Sequence, residues 1–256
     1  MNSKKSEKRI EDTIGDTAVA QSLIALANKA GINLSDIAAL LENTIDPKQI
    51  TQWLQSSANL NGVATLLGQE IESSVITQLI NNQADLRDIA TNSQLLLNGD
   101  IRVDLINKWL KNKTHLNDAI AIMRQGVDLN LIGTNKRKVG DFIGLIGATP
   151  NEVLSRIPED AEIEQWVPNL GGALNGMKFY WKDLSGKAWR LRMHGPDPSA
   201  PAGSNAASGW VLRVQHRKRF MDAVGDFIRP NSPDYTEDKA NETHIPIQPP
   251  PTRSVP

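Results

Sequence analysis

AWRLRMH, residues 188–194, alternates: Trp189, Leu191 and Met193 are apolar, while Arg190, Arg192 and His194 are not. A period of two is that of a half-buried strand, so one face takes the apolar groups and the other takes the two arginines and the histidine. Just upstream, MKFYWKD (177–183) and the turn LSGK (184–187) complete a β-hairpin with it. Downstream, WVLRVQ (210–215) alternates again, with Leu212 and Val214 set apart from Arg213. Between these strands lies GPDPSAPAGSNAASG (195–209), fifteen residues almost without large side chains. A loop of that length inside a compact domain is functional or disordered.

The surroundings share this character. Residues 177–229 hold ten Lys/Arg against four Asp/Glu, and eight of the twelve aromatics fall between Trp166 and Phe227. A compositional shift of this size marks a second module, compact, aromatic and basic.

The first module repeats. TQWLQSSANLNGVA from Thr51, TQLINNQADLRDIA from Thr77 and NKWLKNKTHLNDAI from Asn107 align without gaps, and IALANKAGINLSDIA from Ile24 is a weaker copy. The matched leucines Leu34, Leu60, Leu86 and Leu116 are 26, 26 and 30 residues apart. Each unit reads as two helices around a short polar connection, with Asn, Ser or Asp beside the leucine as helix caps. Such repeats stack and bury a shared apolar stripe. Trp53 and Trp109 occupy equivalent positions and are expected in that core.

The expected organisation is an all-α helical repeat over 10–135, a linker over 136–150, a small strand-rich α+β domain over 151–229, and a disordered tail over 230–256. The linker expectation rests on the glycines and basic run of GTNKRKVGDFIGLIGATP, with a short helix starting at Pro150. The tail expectation rests on its seven prolines.

Several function classes are excluded or disfavoured. No cysteine is present, so there are no disulfides, thiolate metal sites or cysteine nucleophiles. The four histidines are scattered, which argues against a metal site, and no cofactor motif is apparent. No apolar run is long enough for a membrane helix, and the basic start is followed by no apolar core of a classical signal peptide. A net charge of −1 excludes a globally basic nucleic-acid binder but not a local basic face.

The run IPEDAEIEQWVPN, followed by WRLRMHGPDPSAPAGSNAASGWVLRVQHRKRFMD, resembles the C-terminal toxin domains of bacterial polymorphic toxin systems, the type 30 toxin domain in particular. The resemblance covers about 155–225 and not the helical repeat. It implies a ribonuclease: a delivered effector of bacterial competition, acting in the cytoplasm of a target cell. It also implies a cognate immunity protein, expected to be acidic against a basic cleft. The helical repeat then docks a secretion or carrier partner.

RNA cleavage without a metal needs a base for the 2′-hydroxyl proton, an acid for the leaving oxygen, and cations for the charge that develops on phosphorus. His194 suits either proton role. Arg192 and Arg213 are expected to clamp the phosphate, and Asp197 to orient the histidine. Arg190, Lys187, Ser204, Asn205 and Arg217 are the expected substrate-binding residues, with Lys218 and Arg219 adding attraction for the backbone. Two alternatives remain open on sequence: a non-enzymatic RNA-binding or scaffold protein, and a nucleotide-modifying toxin of another class.

Overall fold

The computed structural model describes residues 3–29, 31–42, 45–55, 60–112 and 114–251. It divides into two compact units, residues 1–98 and 99–256. No helix among the described residues is long and apolar enough to cross a membrane.

Among the described residues the first unit's elements are all helices: α1 (Ser3–Ile14), α2 (Thr17–Lys29), α3 (Leu34–Glu42), α4 (Pro47–Gln55), α5 (Leu60–Gly68), α6 (Ser73–Asn81) and α7 (Leu86–Asn98). From α3 to α7 the helices start at 34, 47, 60, 73 and 86, one every 13 residues, so the 26-residue repeat is two short helices. Local chemistry sets the period. Asn33, Asp46 and Asp85 each turn a side-chain oxygen to the free N–H groups of the next helix. Gly31, Glu70 and Gln83 adopt left-handed backbone at the helix ends. The N–H groups of Ile32, Ile71 and Ala84 then close back onto the carbonyls of Ala27, Leu66 and Leu79. Ile37, Leu40, Ile50, Trp53, Leu66 and Ile76 fill the core.

The second unit begins with α8 (Val103–Lys111), α9 (Leu116–Arg124), a 3-10 turn (Leu129–Leu131) and α10 (Pro150–Ser155). Then come β1 (Glu162–Glu164), β2 (Gly176–Lys182), β3 (Ala188–His194), α11 (Asn205–Ser208), β4 (Val211–His216), β5 (Arg219–Met221), β6 (Phe227–Ile228), α12 (Glu237–Glu242) and β7 (Ile245–Pro246). β1 to β6 form an antiparallel meander, and β7 pairs with β4. Phe179, Leu191, Met193, Leu212 and Val214 are fully buried on one face, as their alternation requires.

The helical repeat therefore does not end at 135 as a separate domain. α8 and α9 keep the 13-residue step, starting at 103 and 116, yet belong to the sheet-bearing unit. Their polar side chains explain why. Thr114 Oγ1 accepts from the buried N–H of Ile163 at 3.1 Å, and Asn112 Nδ2 donates to Asp160 O at 2.8 Å. Lys108 and Lys136 both grip Glu159, at 2.5 and 2.7 Å, which holds that carboxyl down at about 2.

Residues 136–150 are likewise not a free linker. Phe142 and Leu145 are buried. The Arg156 guanidinium, itself buried, donates to the carbonyls of Asp141 and Ile143, and Gly140 N–H donates to Arg156 O. The helix expected at Pro150 forms, capped by Thr149.

The tail departs furthest from expectation. Residues 230–251 are ordered into α12 and β7, not a disordered extension. The proline count concealed an alternation: Ile245 and Ile247 are buried while Pro246 and Gln248 face out. Pro246 leaves no ladder bond unmade there: the neighbouring Ile247 N–H donates to Trp210 O at 2.9 Å, and the Pro246 carbonyl accepts from Gly147 N–H at 2.8 Å. Ending the chain at Arg229 removes both isoleucines from the core and uncovers the edge of β4. At about 1.5–3 kcal/mol per buried side chain, it is expected to lower stability by at least about 3 kcal/mol. Urea unfolding of the shortened chain measures this.

Candidate active site

Residues directly opposite in an antiparallel pair share a face. Here Lys178 lies opposite Arg192, and Arg192 opposite Arg213, so three cations form one row across β2, β3 and β4. The register comes from the β2–β3 turn, where Asp183 Oδ1 accepts from Ser185 N–H, Ser185 Oγ and Lys187 N–H. His194 lies on the same face, two residues beyond Arg192.

The row is poorly neutralised. Lys178 pairs with Glu164 at 2.8 Å. Among the described residues neither Arg192 nor Arg213 has an ion pair. The Arg213 guanidinium lies 3.7 Å above the Phe220 ring and donates to Tyr235 Oη at 3.1 Å. Burial, Arg213 and Arg190 all push the Arg192 pKa down from its ordinary value. Like charges opposed across a sheet repel, so an anion bound between them is favoured.

These side chains line a small polar cavity of about 240 Å³, together with Trp166, Asp197 and His244. Trp166 stacks on His194 with ring centres 5.6 Å apart and is fixed by its indole N–H to Ala173 O at 3.1 Å. It can lie there because residue 176 is glycine: a Cβ at Gly176 would sit 2.4 Å from the indole. His194 Nδ1 donates to Gly195 O at 2.8 Å, and His244 Nδ1 donates to Ala240 O at 2.9 Å. The neutral form of each ring thus keeps its Nε2 lone pair free. The two rings meet edge to face, 6.2 Å between centres. Burial pushes both imidazoles down. For His244, Arg213 adds to burial and the value falls to about 4.

The expected site residues separate into two sets. Arg192, His194, Arg213 and Asp197 come together in the cavity. Asp197, however, does not orient His194 by a hydrogen bond. Its Oδ1 accepts from Ser199 N–H and Oγ, which together with the nearby imidazoles holds the carboxyl below its usual range. Gly195 O and Trp166 fix the ring instead. Ser204 caps α11 by accepting from Ala207 N–H. Asn205 is a structural clamp: its Nδ2 donates to the carbonyls of Asn241 and His244, and its N–H to Asn241 Oδ1 at 2.7 Å. Arg190 shares the face but lies outside the cavity, over Tyr180 and 4.0 Å from Glu164. Lys187 is exposed on the β2–β3 turn, and Arg217 lies on the turn after β4, so neither reaches the cavity.

Sequence reasoning missed Lys178, Trp166 and His244. Lys178 was legible, because it alternates with the buried Met177 and Phe179. Trp166 and His244 carried no local signal.

The fold and this cavity both fall within one match. Residues 152–248 match the bacterial toxin 30 family. The toxin domain therefore runs from α10 through β7 and includes His244, well past the expected limit at 229. No curated protein and no solved structure matches the chain.

His244 is held neutral in the folded toxin domain but protonates freely when unfolded. Stability is therefore full above about 6.5 and drains as pH falls towards about 4. Proton NMR of the imidazoles is expected to show His244 titrating near the bottom of that window. Adding inorganic phosphate should move both ring titrations up by about one unit or more, since an anion favours the charged imidazole.

Proposed function

We propose that the toxin domain is a metal-independent endoribonuclease. The observation that carries this reading is the pair of imidazoles, each with Nδ1 spent on a backbone carbonyl and Nε2 free, beside an under-neutralised row of cations. Arg192 and Arg213 hold the non-bridging oxygens of the scissile phosphate, and Lys178 extends the row. His194 takes the proton of the 2′-hydroxyl, whose oxygen attacks phosphorus. The bond to the 5′ oxygen breaks, and His244, in its protonated form, which the bound phosphate favours, gives that oxygen a proton. The products are a 2′,3′-cyclic phosphate and a free 5′-hydroxyl. Asp197 acts through its field, favouring the charged imidazoles.

In this reading the chain is a delivered effector that acts in the cytoplasm of a target cell. The first unit docks a secretion or carrier partner, as stacked helical repeats commonly do. The producing cell holds an acidic immunity protein that covers the cationic row.

His194→Ala and His244→Ala are each expected to lower kcat for RNA cleavage by about 10²–10⁴-fold in the purified full chain. Cleavage by the parent protein should persist in EDTA and leave 2′,3′-cyclic ends detectable by mass spectrometry. Undiminished cleavage by folded His194→Ala protein would overturn the mechanism.

A further inference from the structure

The toxin domain carries a second cationic depression, apart from the cavity. The hairpin joining β4 and β5 is a two-residue turn, since His216 pairs with Arg219. Its residues are Arg217 and Lys218, at φ +50° and +65°. Both are in the left-handed region, where turns of this kind favour Asn-Gly because long side chains are disfavoured there. Two long cations therefore hold positions that the backbone would rather give to small residues. Backbone held in such regions gathers at ligand-binding places.

The turn borders a groove of about 770 Å³, lined also by Gln215, Arg229 and Asn231. Arg217, Lys218 and Arg229 are all exposed, and among the described residues none has an ion pair or a side-chain hydrogen bond. The rest of the lining comes from prolines and uncharged polar groups; the nearby acid, Asp234, accepts from the lining Ser232 Oγ at 3.2 Å rather than pairing with a cation. The charge is thus concentrated and unspent.

The groove is separate from the cavity, but one strand, β4, borders both. Arg213 lines the cavity, Gln215 lines the groove, and the two alternate onto the same face of β4. One such step is about 7 Å along a strand, comparable with the reach of one nucleotide. Phe220 and Tyr235 fill the space beside it, their rings 6.3 Å apart, with Phe220 opposite Gln215.

We propose that this groove is a second phosphate subsite, which holds the backbone flanking the scissile phosphate and makes single-stranded RNA of several nucleotides the substrate. The inference rests on the nuclease reading for the identity of the strand. A small nucleotide would use the cavity and leave Arg217, Lys218 and Arg229 idle. A duplex is a poor fit, because a cavity of about 240 Å³ lined by Trp166 and the two imidazoles takes one phosphate and its neighbours, not two paired strands.

The test exploits the turn itself. The double variant Arg217→Asn, Lys218→Gly removes both charges and installs the residues this turn prefers, so its Tm is expected to equal or exceed that of the parent. Binding is read with a 2′-deoxy oligonucleotide of about eight residues, which cannot be cleaved, across a series of salt concentrations. The variant is expected to bind about tenfold more weakly. Its plot of log affinity against log salt should be shallower by about 1.4, at about 0.7 per phosphate contact on a single strand. Arg229→Gln, away from the turn, should flatten the slope by about 0.7. In cleavage, the preference in kcat/KM for an oligoribonucleotide over a dinucleotide should fall about tenfold in the double variant.

Unchanged affinity and slope in a folded double variant would overturn the subsite, as would binding that is lost only to an acidic protein partner. A parent protein that cleaves no RNA would overturn the nuclease reading, while the binding series still decides the groove.

Discussion

Lys178, Arg192 and Arg213 stand side by side across three strands, and the rest of the toxin domain is arranged around holding them there. Opposed like charges on a sheet are unfavourable. They persist because the reverse face of the same strands is packed with Phe179, Leu191, Met193, Leu212 and Val214, all fully buried. The register cannot slip by one residue without turning those apolar groups outward, so the core on one face fixes the charges on the other. The Asp183 turn reinforces the same register from the end of the hairpin. Stability and anion recognition are thus two faces of one constraint.

The second constraint is the return of the chain. After β6 the polypeptide crosses to α12 and then adds β7 to the free edge of β4. This brings His244 beside His194, and Asn205 ties the approach by bonding the carbonyls of Asn241 and His244. The loop over 195–209, whose Ser204 and Asn205 were expected to bind substrate, supplies mainly this anchorage, and only Asp197 from it lines the cavity. The segment carrying Trp166 supplies far more of the lining. His216 has a comparable structural explanation: it stacks on Trp189 with ring centres 4.2 Å apart and bonds Asp183.

Much of the local structure was legible. The alternation in 188–194 and 210–215 places Arg192, His194 and Arg213 together, because side-chain direction in a strand depends only on parity. The leucine spacing and the Asn and Asp beside it give the helix starts, because capping is a contact between neighbours in the chain. The burial of Trp53 and Trp109 follows from the helical stripe. The domain boundaries were not legible. α8 and α9 carry the repeat pattern yet belong with the sheet, since what binds them is Thr114, Asn112 and Lys108 meeting partners about fifty residues on.

By itself, the sequence determined which faces are apolar, where helices start, and that a concentrated positive charge shares a strand face with one histidine. Each of these follows from residue order over a few positions. Only the tertiary structure decided that the proline-rich end is part of the core, that Asn205 holds the chain rather than a ligand, and that a second imidazole enters the cavity. Those outcomes depend on strand edges and carbonyls finding partners far away in the chain. Composition reports how much proline or charge a segment holds, but not which distant backbone group is waiting to be paired.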